Sequence, residues 1–466
     1  MTKPLLRLLA LSAFLWSSPS HAAPEPGPTA VLRAQPPPVV LISLDTLRAD
    51  HVGSYGYERN TTPFLDAFAK DAVSFDRAFT SGGGTLPAHM TLLTGLPPSV
   101  HGVTAQSDRR LATGHKTLAE LLRSAGYRTA GFTGAGYVRA RWGFNQGFDS
   151  FDDAGRGFEQ ILPKALAWLD QADPRPPFLF LHTLDIHSDW DELPYDAPLP
   201  YRDQFVGEKN PGTFDGCRDG ICASKLLAGL NQKARKGSVD LATYFTPEEV
   251  QYVTDLYDGG VAYTDARFGQ LIAELTKRGL YDNALIVVIS DHGEEFLDHG
   301  LMLHEQIYDE LVRVPVLIKL PGGEHGGSRA RGLVGIMDVA PTVLEVTATA
   351  TPPGVIGTSL LPLIENRSAG RSSLHIYGKP EKLRTLEWSL LRAANGDAEL
   401  YDLKRDPGEK HDVAAMRPGM VEALSRQLDA IKLSRQALRP NKAAQTPVEL
   451  TPKVVEQLEA LGYLQD

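Results

Sequence analysis

Cysteine is scarce in this chain. Its 466 residues include two, Cys217 and Cys222. That is too few for the disulfide framework of a small secreted domain, and no other soft ligand lies near them to complete a zinc site. In an oxidising compartment the pair is expected to close a small loop. Long apolar runs are missing beyond the N-terminus, so no bilayer-spanning helix is expected. Positive charge is not in surplus: 57 acidic against 47 basic side chains give a formal net charge of -10, which argues against a nucleic-acid partner. A small anionic substrate is compatible with that balance, because one bound cation reverses the field locally. Internal repeats and a glycine-rich nucleotide loop are absent as well.

What is present suffices for a large core. Hydrophobic residues make up 42% and charged residues 22%, which at this length suits one large domain and a smaller one. The basic start with Lys3 and Arg7, the short apolar run from Leu8 to Trp16 and the small residues ending in Ala22-Ala23 read as a secretory signal peptide over residues 1–23. No cysteine follows that run, so no lipid anchor is expected, and the mature protein is expected in the periplasm or outside the cell. A Pro- and Ala-rich lead-in occupies 24–36. Apolar strands then alternate with helices: strand 39–44, helix 62–69, helix 117–126, strand 128–133, helix 159–172, strand 177–181, helix 246–275, strand 284–290 and strand 314–320. This order predicts an α/β fold with a βαβ rhythm. Near residue 370 it gives way to antiparallel strands at 388–392 and 398–403 and a helix over 419–433. The expected organisation is a catalytic domain over 37–369 and a C-terminal α+β subdomain over 370–466. A polar, Pro/Gly-rich insertion at 188–246 is expected to cover the site mouth.

The chemistry centres on Thr85-Leu86-Pro87-Ala88-His89. Gly82 to Gly84 permit a sharp turn, Pro87 suits a first helical turn and Gly95 a helix end. Thr85 is therefore expected at a helix N-terminus, where free N–H groups favour an oxyanion. His89 lies one turn on, on the same face, and is a catalytic candidate expected to hydrogen-bond Thr85 or the substrate. An N-capping role for Thr85, and a packed helix-face role for His89, are the plain alternatives. Asp45 ends an apolar strand, and Asp291-His292 end another, where sites form in α/β sheets. His182, Asp185 and His187 follow a third strand, and His304 lies in the loop after Asp291. Two carboxylates, an imidazole and a hydroxyl from Asp45, Asp291, His292 and Thr85 suit one divalent cation with the threonine oxygen as its reactive ligand. His182 and His187 are expected to contact substrate.

These stretches resemble the sulfatase family of the alkaline phosphatase superfamily. The likeness runs over roughly 37–466. It rests on Leu44-Asp45-Thr46-Leu47-Arg48-Ala49-Asp50, Leu86 to Gly95, Ser290-Asp291-His292-Gly293-Glu294, His304 to Pro315, Glu399 to Leu403 with Asp406-Pro407, and residues 455–464. It implies a doubly wound mixed sheet flanked by helices, with a small C-terminal α+β subdomain. It also implies that His187 and His304 bind the substrate oxyanion or protonate the leaving alcohol, with Glu294 or Asp298 orienting them.

The departures from the family pattern matter. Sulfatases of this family convert the first residue of Cys-x-Pro-x-Arg or Ser-x-Pro-x-Arg to formylglycine. Thr85 cannot be so converted, so no formylglycine is expected. His89 replaces the motif arginine, Thr46 replaces a second carboxylate, and the family's Lys-x-x-His stretch is not recognisable in residues 131–136. With His292 present, Zn or Mn is favoured over the oxygen-loving Ca, which stays open. A second ion would draw on Asp185, His187 and His299. The expected activity is metal-dependent hydrolysis of a small anionic ester, carried on a glycan or a lipid head group. A phosphate ester, diester or phosphonate is preferred; a sulfate ester, phospho-group transfer and turnover-free glycan binding are the alternatives.

Overall fold

Residues 36–104, 109–134, 136–188, 193–207, 210–439, 445–448 and 451 are described by the computed structural model. The signal peptide, nearly all of the lead-in and the 455–464 stretch lie outside these residues. The strands run β1 (Val39–Leu44), β2 (Val73–Phe79), β3 (Arg128–Thr133), β4 (Ser150–Asp152), β5 (Pro177–Thr183), β6 (Leu285–Ile289), β7 (Glu295–Phe296), β8 (Met302–Leu303), β9 (Val316–Lys319), β10 (Arg329–Gly335), β11 (Ser373–Ile376), β12 (Glu381–Thr385), β13 (Trp388–Arg392) and β14 (Ala398–Asp402).

Eight strands form one sheet in the order β10-β2-β9-β6-β1-β5-β3-β4. Strand β1 is parallel to both β5 and β6, whereas β9 is antiparallel to β6 and β2. The sheet is therefore mixed. Its centre is buried on both faces, which is why β1, β5 and β6 read as continuous apolar runs rather than alternating ones. Val40, Ile42 and Leu44 enter the core on one face, and Val39 and Leu41 that on the other. The long helix Pro247–Lys277 opens with a capping box between Thr246 and Glu249 and packs on the first face. The Thr85–Thr94 and Val339–Val346 helices cover the second.

A second sheet is the antiparallel meander β11-β12-β13-β14. Leu383, Leu390 and Leu400 bury their side chains against Leu424 and Leu428 of the Pro418–Gln436 helix. The two sheets meet where Phe79, Leu333 and Met337 pack with Leu374, Ile376 and Leu391. A buried ion cluster reinforces the contact, with Lys382 Nζ 2.7 Å from Asp309 and 2.8 Å from Glu409.

The 188–246 stretch differs from its polar reading. It holds a 16-residue helix, Gly220–Arg235, capped by Asp219. The expected loop-closing disulfide is not formed: Cys217 and Cys222 are free thiols. No helix among the described residues is long and apolar enough to cross a membrane.

Candidate active site

Parallel strands deliver their C-terminal ends to one edge of the sheet, and the polar residues gather there. Asp45 follows β1, Asp291 and His292 follow β6, and His182 belongs to β5 itself, paired with Ser43. The turn after β2 supplies Gly82–Gly84 and then Thr85, first residue of its helix. Gly84 caps that helix at φ 111°, a left-handed geometry that glycine adopts without cost. Gly82 and Gly83 are needed for close approach. A Cβ on Gly82 would lie 3.3 Å from the Tyr377 carbonyl oxygen, and one on Gly83 3.3 Å from Ile307 Cγ2.

Four ligand-type atoms converge. His292 Nε2 lies 3.2 Å from Thr85 Oγ1, 3.5 Å from Asp291 Oδ2 and 3.9 Å from Asp45 Oδ1. All four residues are buried. Nδ1 of His292 donates to the Gly293 carbonyl at 2.9 Å. That bond fixes the tautomer and leaves Nε2 as a lone pair aimed at the carboxylates. Asp45 Oδ1 and Asp291 Oδ2 have no hydrogen-bond partner. Buried carboxylate oxygens without donors are costly, and a cation between them would complete both, so the donor set fits a divalent ion. Among the described residues, Asp45, Asp291 and His292 are the group of three whose ligand atoms lie within 4.8 Å of one another.

Charge in the cluster is uneven. Burial, and then the Asp291 carboxylate, push the Asp45 carboxyl up to about 6. Burial acts the same way on Asp291, but the imidazoles of His292, His89 and His182 outweigh it and hold that carboxyl below its usual value. Asp291 Oδ1 also accepts the Thr46 N–H at 3.3 Å. Thr46 presents that N–H from the left-handed region, at φ 60°, a strained setting for a β-branched residue. Tyr257 braces it, donating to the Thr46 carbonyl at 2.7 Å and accepting the Arg48 N–H at 2.8 Å.

The histidines divide by their contacts. His182 Nε2 is 2.9 Å from Asp45 Oδ2, and burial drops its pKa to about 4. As a neutral donor it orients a metal-type ligand. His89 is fully buried, with Nδ1 donating to the Thr85 carbonyl and Nε2 beside Ser43 Oγ, each at 2.9 Å. Burial and then His182 hold His89 below its usual pKa, and its two bonds tie the first helical turn to β1. His304 and His187 lie with ring centroids 5.3 Å apart, and His304 is 4.9 Å from His292. Burial lowers the His304 pKa, but Glu294, 3.2 Å from its Nδ1, overrides that and lifts it to about 9. Asp298, considered for the same orienting role, instead pairs with Arg48 at 2.8 Å.

The residues weighed for a second ion do not assemble. Asp185 is bonded to the Thr183 hydroxyl and the Phe158 N–H. His299 is held between Glu310 and the Glu409 carbonyl. Sequence reasoning also passed over Ser43 and Tyr257. A serine inside the otherwise apolar run of β1 was the available signal for Ser43.

A mixed sheet with carboxylates and a helix-borne hydroxyl at its C-terminal edge is the architecture of an alkaline phosphatase-like ester hydrolase. Residues 37–349 match the sulfatase family model and 297–434 that of the N-sulphoglucosamine sulphohydrolase C-terminal region. The chain belongs to the sulfatase family. Arylsulfatase K of Rattus norvegicus is 24% identical, the match covering 93% of this chain and 85% of that protein. An N-acetylglucosamine-6-O-sulfatase of Bacteroides thetaiotaomicron is 23% identical over 95% of this chain and 92% of its own. Among solved structures, the phosphonate monoester hydrolase of Agrobacterium radiobacter superposes with a TM-score of 0.70 at 20% identity, covering 90% of this chain and 98% of that one.

Proposed function

We propose that this protein is a secreted, metal-dependent hydrolase that uses Thr85 directly as nucleophile on phosphate esters, diesters or phosphonates. The observation that carries the reading is the approach of the Thr85 hydroxyl to His292, within a buried set whose carboxylate oxygens lack donors. Asp45, Asp291, His292 and the Thr85 oxygen would hold the ion, and the imidazole ligand favours Zn or Mn. When bound, the ion lowers the pKa of the hydroxyl and takes up charge on the transferring oxygens.

This chain's residues do the rest. The Thr85 hydroxyl gives its proton to solvent, and its oxygen forms a bond to phosphorus as the bond to the leaving alcohol breaks in line. His304, protonated at neutral pH, gives the departing oxygen its proton, and His187 holds a non-bridging oxygen. Water then attacks the phosphothreonine, giving a proton to the now neutral His304; the Thr85 oxygen leaves, regains a proton from solvent, and the anion is released. His89 and His182 position Thr85 and Asp45 and do not touch substrate.

Preference for phosphorus follows from Thr85. A formylglycine hydrate expels sulfate by elimination from its hemiacetal. A sulfated threonine has no such route and needs direct attack by water at sulfur, whereas a phosphothreonine is released by ordinary attack at phosphorus. The sulfatase names of the relatives support a second reading, sulfate ester hydrolysis on glycans. A panel of p-nitrophenyl phosphate, phosphodiester, phosphonate and sulfate, run with and without chelator, decides between them. Chelator-sensitive turnover of a phosphorus ester, abolished in Thr85→Ala, is expected. Turnover of the sulfate alone would overturn the preference, and an active Thr85→Ala would overturn the nucleophile.

A further inference from the structure

The Gly220–Arg235 helix buries one face, and that face includes Ser224 and Asn231. Asn231 is completely buried and Ser224 is 2% exposed. Polar groups so placed are costly unless bonded, and both are bonded to main chain. Ser224 Oγ donates to the Ser188 carbonyl at 2.8 Å, and Ser188 directly follows His187. Asn231 grips Met302 at both ends: its Nδ2 donates to the Met302 carbonyl at 2.7 Å and its Oδ1 accepts the Met302 N–H at 3.0 Å. Met302 lies two residues before His304. Ser224 and Asn231 are seven residues apart, two turns along one face.

The His304 segment needs such a hold. Leu303 sits at φ 70°, in the left-handed region, a conformation a branched residue keeps only when its flanks are fixed. Asn231 fixes the N-terminal flank. On the other flank the Glu295 carboxylate accepts the N–H groups of Glu305 at 2.6 Å and Gln306 at 3.2 Å. Arg235, one turn beyond Asn231, forms an ion pair with Glu305.

We propose that this helix is the positioning element for both histidines. Through Ser224 and Asn231 it sets the spacing of His187 and His304 across the site, so the insertion tunes proton delivery to the leaving alcohol. The inference rests on the reading of His304 as the acid. A helix that merely filled space would accept alanine and leucine at these two positions.

The test uses full-length Asn231→Leu and Asn231→Ser, which both release the Met302 backbone, with the p-nitrophenyl and n-butyl esters of one phosphoryl group. An alkoxide needs a well-placed acid, whereas p-nitrophenolate leaves without one. With KM nearly unchanged and the fold retained at a lowered melting temperature, kcat on the butyl ester is expected to fall roughly 10- to 100-fold, as misplaced catalytic groups do. On the p-nitrophenyl ester the change is expected to stay within about threefold. Equal losses on both esters in the Asn231 variants, or no loss on either, would overturn the inference. His304→Ala separates the two readings. If it discriminates between the esters and the helix variants do not, only the positioning inference fails. If it does not discriminate, the acid assignment fails first. Should Asn231→Leu not fold, Asn231→Ser carries the same comparison; Ser224→Ala, which loosens the His187 flank, is expected to slow both esters alike.

Discussion

Lowering the pH from 7 to 5 is expected to weaken divalent-metal binding about tenfold through Asp45 alone. Its carboxyl titrates at about 6 because burial and Asp291 both oppose its charge. A cation binds the ionised form, so the apparent dissociation constant scales with the reciprocal of the ionised fraction. That fraction is roughly nine-tenths at pH 7 and one-tenth at pH 5 for a group titrating at about 6. Asp291, held low by its histidine neighbours, adds nothing over this range. The same shift acts on folding. A carboxyl raised from 3.8 to about 6 stabilises the metal-free fold below pH 3.8, and that contribution is lost as the pH rises through 6. The loss is about 3 kcal/mol at neutral pH, and a bound cation offsets it. Calorimetric titration of chelator-treated protein with Mn or Zn at pH 5, 6 and 7, in a non-coordinating buffer, measures the slope. An affinity flat across that range, or Asp45→Asn binding as tightly as the native chain, would refute the reasoning.

Three further outcomes are expected. His182→Ala removes the donor to Asp45 and should weaken metal affinity roughly 10- to 100-fold, read by the same titration. Gly293→Ala would place a Cβ 2.2 Å from the Glu310 carbonyl oxygen, so its loop must move; loss of metal binding with His292 unaltered is expected, and a fully metallated variant would contradict the packing. Lys382→Met leaves Asp309 and Glu409 without their shared cation and should cost roughly 3–5 kcal/mol in urea unfolding.

The residues that gather at the sheet edge were legible because each follows or ends a run with a strong local signal. Asp45 closes an apolar strand, Asp291-His292 close another, and Thr85 sits between a glycine turn and a proline. The edge strand β10 was not legible: Arg329 and Arg331 face solvent, which breaks the apolar run. The Gly220–Arg235 helix was missed because its buried face is built partly from Gly220, Ala223, Ser224 and Asn231, which do not read as a core stripe. The division of labour among the histidines was out of reach for another reason. His89, His182 and His304 acquire their partners, Ser43, Asp45 and Glu294, through tertiary placement that spacing along the chain does not encode.

The glycine turn beneath Thr85 carries a further implication. Ser81 accepts the Tyr377 N–H at 2.9 Å, and Gly82 is bridged to the same residue. The seat of an N-terminal hydroxyl is thus stitched to backbone that emerges from the ribosome much later. A truncated product ending before residue 377 would keep every metal-type ligand yet lack the anchor of its reactive turn, so hydrolytic competence should arrive only once synthesis is nearly finished.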